Sequence, residues 1–391
     1  MTNPLAPLQA VASFNPPWTR QNLPGYTPVG YANEDTLNAD ALTFTAENAL
    51  LGECAEEHLP FVDGDVLVPG NFAALRARHC MQARLGTNQY LGFCPDRMMV
   101  LRADGVRLDA RYLLYFLRQQ RMQELIGAHL QASKRQFPHP REFLQTLLIP
   151  LPPLATQQHW CRQLDHMFEQ LRKWQESARS RDTTRRLAFF NFFGSSNTMR
   201  ERWPMVQLHQ VVDKIIPGSS TLARFHASTG EVLIQPCNLG NNRLHLLDVL
   251  HVQAPPHGVR RSRVEPGDVL FCMAGRELGN SAVARHGMAP SYAGKGVAIL
   301  RGKLIEPGYL AAYLNSGMGM GEIEQALKTL VGDDFTLDAL RALHLPLPPR
   351  PLQQEFILAD HEPEADCNDA WARLNQTQAR FASLEQEAFG G

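Results

Sequence analysis

The chain has 391 residues, which is more than one ordinary hydrophobic core requires, so two domains are expected. Apolar residues make up 44% and charged residues 20% of the sequence, a composition that excludes a disordered or collagen-like chain. The 38 basic and 39 acidic residues nearly cancel. Any surface for a polyanion must therefore arise from local segregation of charge.

No apolar run approaches the roughly 18–20 residues of a membrane span, and no basic segment precedes the apolar stretch at the N-terminus. The seven cysteines are scattered and form no CxxC pair, and the 14 histidines show no metal-ligand spacing. The sequence therefore predicts no bound metal and no disulfide framework. A cytoplasmic location, in a reducing compartment, is the expectation.

The first predicted domain covers residues 1–150 and is mixed α/β. Short apolar runs bounded by glycine, proline or aspartate predict strands at 64–70 and 96–104, and the apolar run at 110–130 follows them.

A long helix is predicted within the next segment, 151–199. The Pro-Leu-Pro-Pro sequence at 150–153 is expected to be extended, because proline cannot continue a helix. Apolar residues then recur at spacings of 4, 3, 4, 3 and 4, the pattern of a coiled-coil seam. Extended to about residue 190, this helix would be roughly 50 Å long. The seam residues are Trp160, Leu164, Met167, Leu171, Trp174 and Ala178.

The second half follows the same plan, with a domain at 200–346 and a helical segment at 347–391. Strands are predicted at 231–239, 244–252, 267–275 and 296–302, and a short helix at 309–317. In the final segment Pro363 is expected to break the helix near its start. The seam residues there are Cys367, Trp371, Leu374, Gln378, Phe381 and Leu384.

The two halves repeat each other. Pro-Leu-Pro-Pro followed by Gln-Gln occurs at 150–158 and again 196 residues later, and Phe193-Gly194 recurs at the same offset. The sequence Gly64-Asp65-Val66-Leu67 recurs at an offset of 203 residues, and Tyr112-Leu113 at an offset of 197. Matching pieces in one order, with small drifts in offset, indicate a tandem duplication. Equivalent helices are expected to pair with each other rather than each with its own domain.

These motifs resemble the specificity subunit of type I restriction–modification systems. The resemblance is carried by Trp203-Pro204, Gly267-Asp268-Val269-Leu270-Phe271, Tyr309-Leu310 and the two Pro-Leu-Pro-Pro segments with their Gln-Gln pairs. It covers nearly the whole chain, although residues 1–26 show no counterpart of Trp203-Pro204.

The resemblance implies two duplicated target-recognition domains joined by two long helices that form an antiparallel coiled coil. Each domain would read one half of a split double-stranded DNA site, in a subunit that catalyses nothing itself. Two modification subunits would methylate adenine and a restriction subunit would translocate and cleave. S-adenosylmethionine, ATP and magnesium are accordingly expected on those partners, with no cofactor on this chain. A helical spacer of about 50 Å suits modules that contact DNA about 34–36 Å apart.

Charge is segregated within the first domain: every charged residue from Glu34 to Asp65 is acidic, and the chain turns basic from Arg76 onward. Basic residues can neutralise phosphates, while Asn, Gln and Arg can read base edges. The candidates in the first domain are Arg76, Arg78, Asn88, Gln89, Tyr90, Lys134 and Arg135. Those in the second are Ser219, Ser220, Arg224, Asn238, Asn241, Asn242, Arg243, Arg276, Asn280 and Lys295. The alternative for each is an ordinary surface or turn residue.

Three other functions remain open. One is the specificity factor of a different phage-defence modification system, and another is a scaffold whose domains bind protein. A third is a self-contained methyltransferase, because Asn15-Pro16-Pro17-Trp18 has the form of the signature that holds a flipped base in amino-group DNA methyltransferases. The glycine-rich turn needed for S-adenosylmethionine is missing, since Phe193-Gly194-Ser195-Ser196 follows a helix. No phosphate loop or nuclease carboxylate cluster is present in the sequence.

Overall fold

A computed structural model describes residues 3–18, 23–38, 40–132, 140–246, 249–253, 261–329 and 335–390. The chain divides into two compact units, and each contains part of both long helices. The first unit comprises Met1–Lys173 with Gln376–Gly391, and the second comprises Trp174–Asn375. The ranges predicted for the domains and spacer helices stay a prediction. Among the described residues, every helix is too short or too polar to cross a bilayer.

The first unit is mixed α/β. Its strands are β1 (Leu5–Pro7), β2 (Ala12–Phe14), β3 (Pro28–Tyr31), β4 (Thr43–Thr45), β5 (Glu47–Leu50), β6 (Leu59–Phe61), β7 (Val66–Pro69), β8 (Met81–Arg84), β9 (Gly92–Cys94), β10 (Met98–Ala103) and β11 (Leu148–Pro150). They form a sheet of order β2-β10-β7-β8-β4, a second of order β5-β3-β9-β6, and the pair β1-β11.

The helices of this unit cover the first sheet. They are α1 (Phe72–Arg76), α2 (Ala110–Arg118), α3 (Gln120–Ala132) and α4 (Pro140–Thr146), followed by the long α5 (Leu154–Phe193). Helix α2 begins at Asp109, whose side chain accepts hydrogen bonds from the backbone N–H groups of Arg111 and Tyr112. Its residues from Tyr112 to Leu117 are buried in the main core of the unit.

The second unit repeats this plan. Its strands are β12 (Met205–Gln207), β13 (Lys214–Pro217), β14 (His226–Ala227), β15 (Glu231–Ile234), β16 (Leu239–Gly240), β17 (Arg243–Leu244), β18 (Leu250–Val252), β19 (Val269–Cys272), β20 (Ser281–Val283), β21 (Ser291–Ala293), β22 (Val297–Arg301) and β23 (His344–Pro346). Its helices are α6 (Ser196–Arg202), α7 (Leu208–Val211), α8 (Pro307–Leu314), α9 (Gly317–Thr329), α10 (Leu337–Ala342) and the long α11 (Arg350–Phe389).

Two four-stranded sheets lie in this unit, of order β13-β22-β19-β20 and β14-β18-β15-β21. The strand predicted over 244–252 is wrong as a single element, because β17 ends at Leu244 and β18 begins at Leu250. Strand β17 instead folds back on β16 as a short hairpin, with Leu239 paired to Leu244.

The duplication is visible in equivalent contacts of the two units. Strand β1 pairs with β11 as β12 pairs with β23, both antiparallel. The Leu151 N–H donates to the carbonyl oxygen of Pro4 at 2.8 Å, and the Leu347 N–H donates to that of Pro204 at 3.0 Å. The expectation that the first half lacks a counterpart of Trp203-Pro204 is therefore wrong for the proline: Pro4 fills its place.

An ion pair between a buried aspartate and a partly exposed arginine also occurs in each unit. Asp65 accepts from Arg102 through both carboxylate oxygens, at 2.8 and 2.7 Å, and Asp268 accepts from Arg301 at 2.7 and 2.8 Å. Each aspartate also caps its own turn, accepting from the backbone N–H of Val62 or Glu265. The recurring Gly-Asp-Val-Leu sequence therefore has one structural role in both units.

Helices α5 and α11 pack antiparallel within each unit. In the second unit Arg181 contacts Asp366, Arg185 contacts Asp360 and Phe189 packs on Phe356, so rising numbers on α5 meet falling numbers on α11. In the first unit Phe168 packs on Phe381, with ring centroids 6.4 Å apart. The predicted mixed α/β fold with long antiparallel helices is confirmed. The buried seam residues are Leu164, Ala178, Cys367, Leu374 and Phe381, and Trp160, Met167, Leu171, Trp174, Trp371 and Leu384 are half-buried. The predicted seam is wrong at Gln378, which is exposed.

The predicted break at Pro363 is wrong, because α11 continues through it. Proline removes one helical hydrogen bond and crowds the preceding turn, which usually kinks or ends a helix. Here contacts with α5 hold the helix on both sides of the proline: Asp360 and Glu364 contact Arg185, and Asp366 contacts Arg181. These tertiary contacts override the local preference.

Candidate nucleic-acid interface

Three glycine-containing connections meet at one edge of the second unit. The Gly218 and Ser219 N–H groups donate to the carbonyl oxygens of Val297 and Ala293, at 2.7 and 3.0 Å. The Met273 N–H donates to that of Gly296 at 2.8 Å. Segments 217–220, 273–280 and 294–296 therefore form one hydrogen-bonded cluster, which we call the loop cluster.

Close backbone approach explains the glycines of the loop cluster. A Cβ atom at Gly218 would collide with the carbonyl oxygen of Gly294, and one at Gly296 would meet Pro236 and Ala274. Gly296 also has a φ of 84°, which glycine adopts without strain. The glycines therefore allow the backbone segments of the loop cluster to pack closely together. The longer side chains of the loop cluster project from this packed backbone.

The loop cluster brings together five of the predicted DNA contacts, of which four have accessible side chains. Arg276, Lys295 and Ser220 are exposed and Ser219 is half-buried. Within the described part of the chain, neither Arg276 nor Lys295 has an ion-pair partner. Arg224 is exposed in the 3₁₀ segment Thr221–Phe225 that directly follows. Two free cations and two hydroxyl groups on neighbouring turns can bind phosphate oxygens and donate to base edges.

The first unit has an equivalent edge. The Asn15 N–H, after β2, donates to the carbonyl oxygen of Val100 on β10 at 2.8 Å, and Gly218, after β13, donates to Val297 on β22. The turn at 95–97 corresponds to 294–296, and the β7–β8 connection, which holds α1, corresponds to 273–280. This edge carries Arg76, exposed at the end of α1, and Arg97, whose exposed guanidinium lies 3.8 Å from Glu34.

Asn15 and Trp18 have structural roles at this edge. The Asn15 side-chain oxygen accepts from the backbone N–H of Val100 at 2.9 Å, and the Trp18 ring packs edge-on against Phe93 at 5.3 Å. The polar oxygen that a methyltransferase would aim at a target amine is thus occupied by strand β10. Across the residues that the structure describes, no group of three or more His, Cys, Asp or Glu could hold a metal ion.

Asn88, Gln89 and Tyr90 lie on a separate loop between β8 and β9. Gln89 is buried and anchors the loop, accepting from the Gly86 N–H at 2.8 Å and donating to Asn48 at 2.7 Å. Asn88 is exposed and Tyr90 is 88% exposed, so these two side chains are available to a ligand while Gln89 is not. Helix α1, which carries Arg76, packs on α3.

Arg78 follows α1 and is turned inward. Its Nη2 donates to Gln120 at 2.7 Å, and its Nε is buried without a hydrogen-bond acceptor in the described structure. The remaining candidates of this unit, Lys134 and Arg135, lie outside the described residues.

The asparagine-rich segment at 238–243 packs inward, on helix α5 and strand β20. Asn238 donates to the carbonyl oxygen of His245 at 3.0 Å, and Asn242 accepts from Asn315 at 3.0 Å. In the amide orientation that satisfies both groups, Asn241 accepts from Arg186 at 2.6 and 3.1 Å. Asn280 is likewise occupied, donating to Leu239 at 3.0 Å. Because these side chains are hydrogen-bonded within the protein, the loop cluster is better supported as a DNA-binding surface than the asparagine-rich segment.

Arg243 is also held by contacts within the protein. Its guanidinium lies over the Trp371 ring, 3.4 Å from the centroid, and its Nη1 lies 3.1 and 3.2 Å from the two Asp182 oxygens. Its Nε donates to His245 Nε2 at 3.1 Å. Burial, and then the charge of Arg243, lowers the pKa of His245 from 6.5 to about 4, so the imidazole is neutral at pH 7 and can accept this bond.

Sequence reasoning missed Arg97 as a member of the first edge. The duplication could have found it, because the offset of 199 residues that relates Arg102 to Arg301 places Arg97 opposite Gly296 and next to the position of Lys295. It also missed that the side chains of Arg185 and Arg243 are only 9% and 10% exposed. The signal for Arg185 was its position in the helix repeat, on the face that meets α11.

The fold and the loop cluster define a class of protein: a duplicated α/β chain with long antiparallel helices and a basic loop edge in each half. No family model matches the sequence, and no curated protein matches it. Solved structures do match. The type I restriction–modification S subunit from M. genitalium gives a TM-score of 0.52 at 15% identity, over 99% of this chain and 96% of that chain.

Two further solved structures cover the chain at lower TM-scores. The HsdS subunit from Thermoanaerobacter tengcongensis gives 0.38 at 19% identity, over 98% of this chain and 95% of that one. A chain from work on complex assembly and conformational transition of the type I R-M system gives 0.45 at 17% identity, over 99% and 97%. The fold comparison depends on the S subunit from M. genitalium, and the resemblance drawn from the sequence is confirmed at the level of the fold.

Proposed function

We propose that this chain is the DNA-recognition subunit of a type I restriction–modification complex. The observation that carries the proposal is the loop cluster, with free Arg276 and Lys295 on a rigid base and a corresponding edge in the first unit. Two equivalent basic edges in one chain suit a DNA site read as two half-sites. The fold shared with a solved S subunit supports the same conclusion.

In this mechanism the chain makes and breaks no bond. Arg276, Lys295 and Arg224 in the second unit, with Arg76 and Arg97 in the first, neutralise phosphates. Ser219, Ser220, Asn88 and Tyr90 are placed to contact sugar, phosphate or base edges. The paired helices α5 and α11 serve as the spacer that fixes the unread gap between half-sites.

Chemistry is assigned to partner subunits in the cytoplasm. Two modification subunits would use S-adenosylmethionine to methylate adenine, and a restriction subunit would use ATP and magnesium to translocate and cleave. A self-contained methyltransferase is disfavoured by the Asn15 side chain, which is bonded to strand β10. A specificity factor for another phage-defence modification system would use the same surfaces and differ only in its partners.

Long-read mapping of methylated adenines, with and without the gene, tests the proposal. We expect one bipartite methylated sequence that disappears on deletion and returns with the wild-type gene. Methylation that is unchanged on deletion contradicts the proposal. Label transfer from S-adenosylmethionine to DNA by the purified chain alone would favour the methyltransferase instead. Proteins that copurify with a tagged chain separate the type I system from another defence system.

A further inference from the structure

The hairpin of β16 and β17 is held against both long helices within the second unit. Arg243 stacks on Trp371 of α11 and forms an ion pair with Asp182 of α5, and its side chain is 10% exposed. His245 packs against the same Trp371 ring, with centroids 5.7 Å apart and the rings nearly perpendicular. One arginine therefore contacts both helices at once.

Neighbouring groups complete this contact. Cys367 of α11 donates through its Sγ to Asp182 Oδ1 at 2.9 Å, so the carboxylate is shared between the hairpin and the second helix. Asn241, at the hairpin turn, meets Arg186 of α5. A planar guanidinium with aromatic stacking and charge-assisted hydrogen bonds is more sharply oriented than a lysine or a purely apolar contact would be.

A second charged contact links the β20–β21 connection to the same helices. Arg285 forms an ion pair with Glu364 of α11, and Glu364 also lies 3.0 Å from Arg185 of α5. These two arginines, on different connections, join the α/β part of the second unit to the helix pair in addition to the apolar packing of Tyr309 on Phe189.

Among the described residues, the Arg243 contact has no equivalent in the first half of the chain. At the offset of 196 residues that relates the helices, Trp371 corresponds to Gln175 and Asp182 corresponds to Gln378. The short β16–β17 hairpin likewise has no counterpart among the described strands of the first unit. The shared fold forms there without this contact, so the contact is an addition specific to the second unit.

We infer that Arg243 is a positioning residue, which fixes the second recognition domain on the helix pair and so keeps the gap between the two half-sites to one length. This inference rests on the proposed function. Rigid attachment matters because each helical step of DNA rotates the next base pair around the axis, so a domain that tilts can accept a neighbouring gap length. Arg243 would thus act on DNA selectivity without contacting DNA.

The test compares genome-wide adenine methylation in strains that carry wild-type, Arg243→Ala or Asp182→Asn chains in place of the native gene. Asp182→Asn keeps the side-chain shape, removes the charge and replaces one acceptor oxygen with a donor, so it remains informative if Arg243→Ala does not fold. The matched control is Asp366→Asn, which removes an exposed ion pair between the same two helices, with Arg181, away from the hairpin.

We expect one gap length for the wild type and the control, and the same two half-sites with additional gap lengths for Arg243→Ala and Asp182→Asn. Gap length is the decisive readout, because a loss of stability alone would reduce methylation evenly without changing the spacing. A single unchanged gap in Asp182→Asn, or a change in the half-site bases, overturns the inference. A wild-type strain with no bipartite methylated site that depends on this gene contradicts the proposed function itself.

Discussion

Arg185 on α5 and Asp360 on α11 form an ion pair in which each side chain is only 9% exposed. The Arg185 Nε lies 3.0 and 2.9 Å from the two carboxylate oxygens, and Glu364 adds a third contact at 3.0 Å. Helix α5 therefore presents a buried cation where a coiled coil ordinarily presents an apolar side chain.

The equivalent layer of the first unit is apolar. At the offset of 196 residues, Arg185 corresponds to Phe381, Asp360 to Leu164 and Glu364 to Phe168. Phe381 packs on Phe168, and Leu164 is fully buried. The two units thus fill equivalent positions between α5 and α11 differently: with charged side chains in the second unit and apolar side chains in the first.

Removing one partner of this layer should be more harmful than replacing the whole layer. Asp360→Leu leaves Arg185 buried with one acidic neighbour fewer, and we expect a loss of about 3–5 kcal/mol in the free energy of unfolding. The triple variant Arg185→Phe, Asp360→Leu, Glu364→Phe installs the side chains of the first unit, and we expect it to be neutral or stabilising. Urea unfolding followed by circular dichroism compares them. A triple variant less stable than Asp360→Leu contradicts this account.

The ion pair of the buried Asp268 with Arg301 should contribute more to the stability of the protein than an exposed ion pair does. Asp268 is 1% exposed, so Asp268→Asn weakens buried hydrogen bonds to Arg301 and should cost about 1–3 kcal/mol, because Arg301 keeps its ion pair with Glu265. Asp338→Asn is the control, because Asp338 is 91% exposed in its pair with Arg341 and should cost at most about 1 kcal/mol. Thermal unfolding of both variants checks the difference, and equal melting temperatures would contradict it.

Stability should depend on pH through His245. Its pKa falls from 6.5 to about 4 on folding, because burial and Arg243 disfavour the charged imidazole. Between those values the unfolded chain binds a proton that the folded chain does not, so stability is retained above about pH 6.5 and is lost as pH falls toward 4. His245→Gln should lose this part of the pH dependence. A wild-type and variant pair with parallel profiles from pH 4 to 7 would contradict the assignment.

Arg276 and Lys295 should determine the salt dependence of DNA binding. Each of Arg276→Ala and Lys295→Ala removes one cation from the loop cluster, so the slope of log K against log salt concentration should become shallower by about 0.9. Gel shifts over a salt series, with the chain and its copurifying subunits, measure that slope. Arg341→Ala, an exposed arginine on α10, should leave the slope at its wild-type value. An unchanged slope in both loop-cluster variants would remove these residues from the DNA surface.

Repetition and helical periodicity made most of the fold predictable. The offsets of Pro-Leu-Pro-Pro and Gly-Asp-Val-Leu fixed the equivalence of the halves, and a spacing of three and four residues identified the helix faces. Pro363 was misjudged because local backbone preference carries no information about Arg185 on another helix. The candidate surface could be predicted only in part. Neighbouring glycines correctly indicated that Arg276 and Lys295 lie on turns. Arg243 was also predicted to contact DNA, but it packs on Trp371, which is 128 residues away in sequence and cannot be recognised from the local pattern.

Exchange of one recognition domain tests the division of labour most directly. Residues 200–345 are replaced by the corresponding segment of an S subunit with a different recognition sequence, and methylated adenines are mapped genome-wide in the resulting strain. The account predicts that one half of the bipartite site takes the new sequence while the other half keeps its own. A change in both halves, or in neither while methylation persists, would contradict the claim that each half of this chain reads its own half-site.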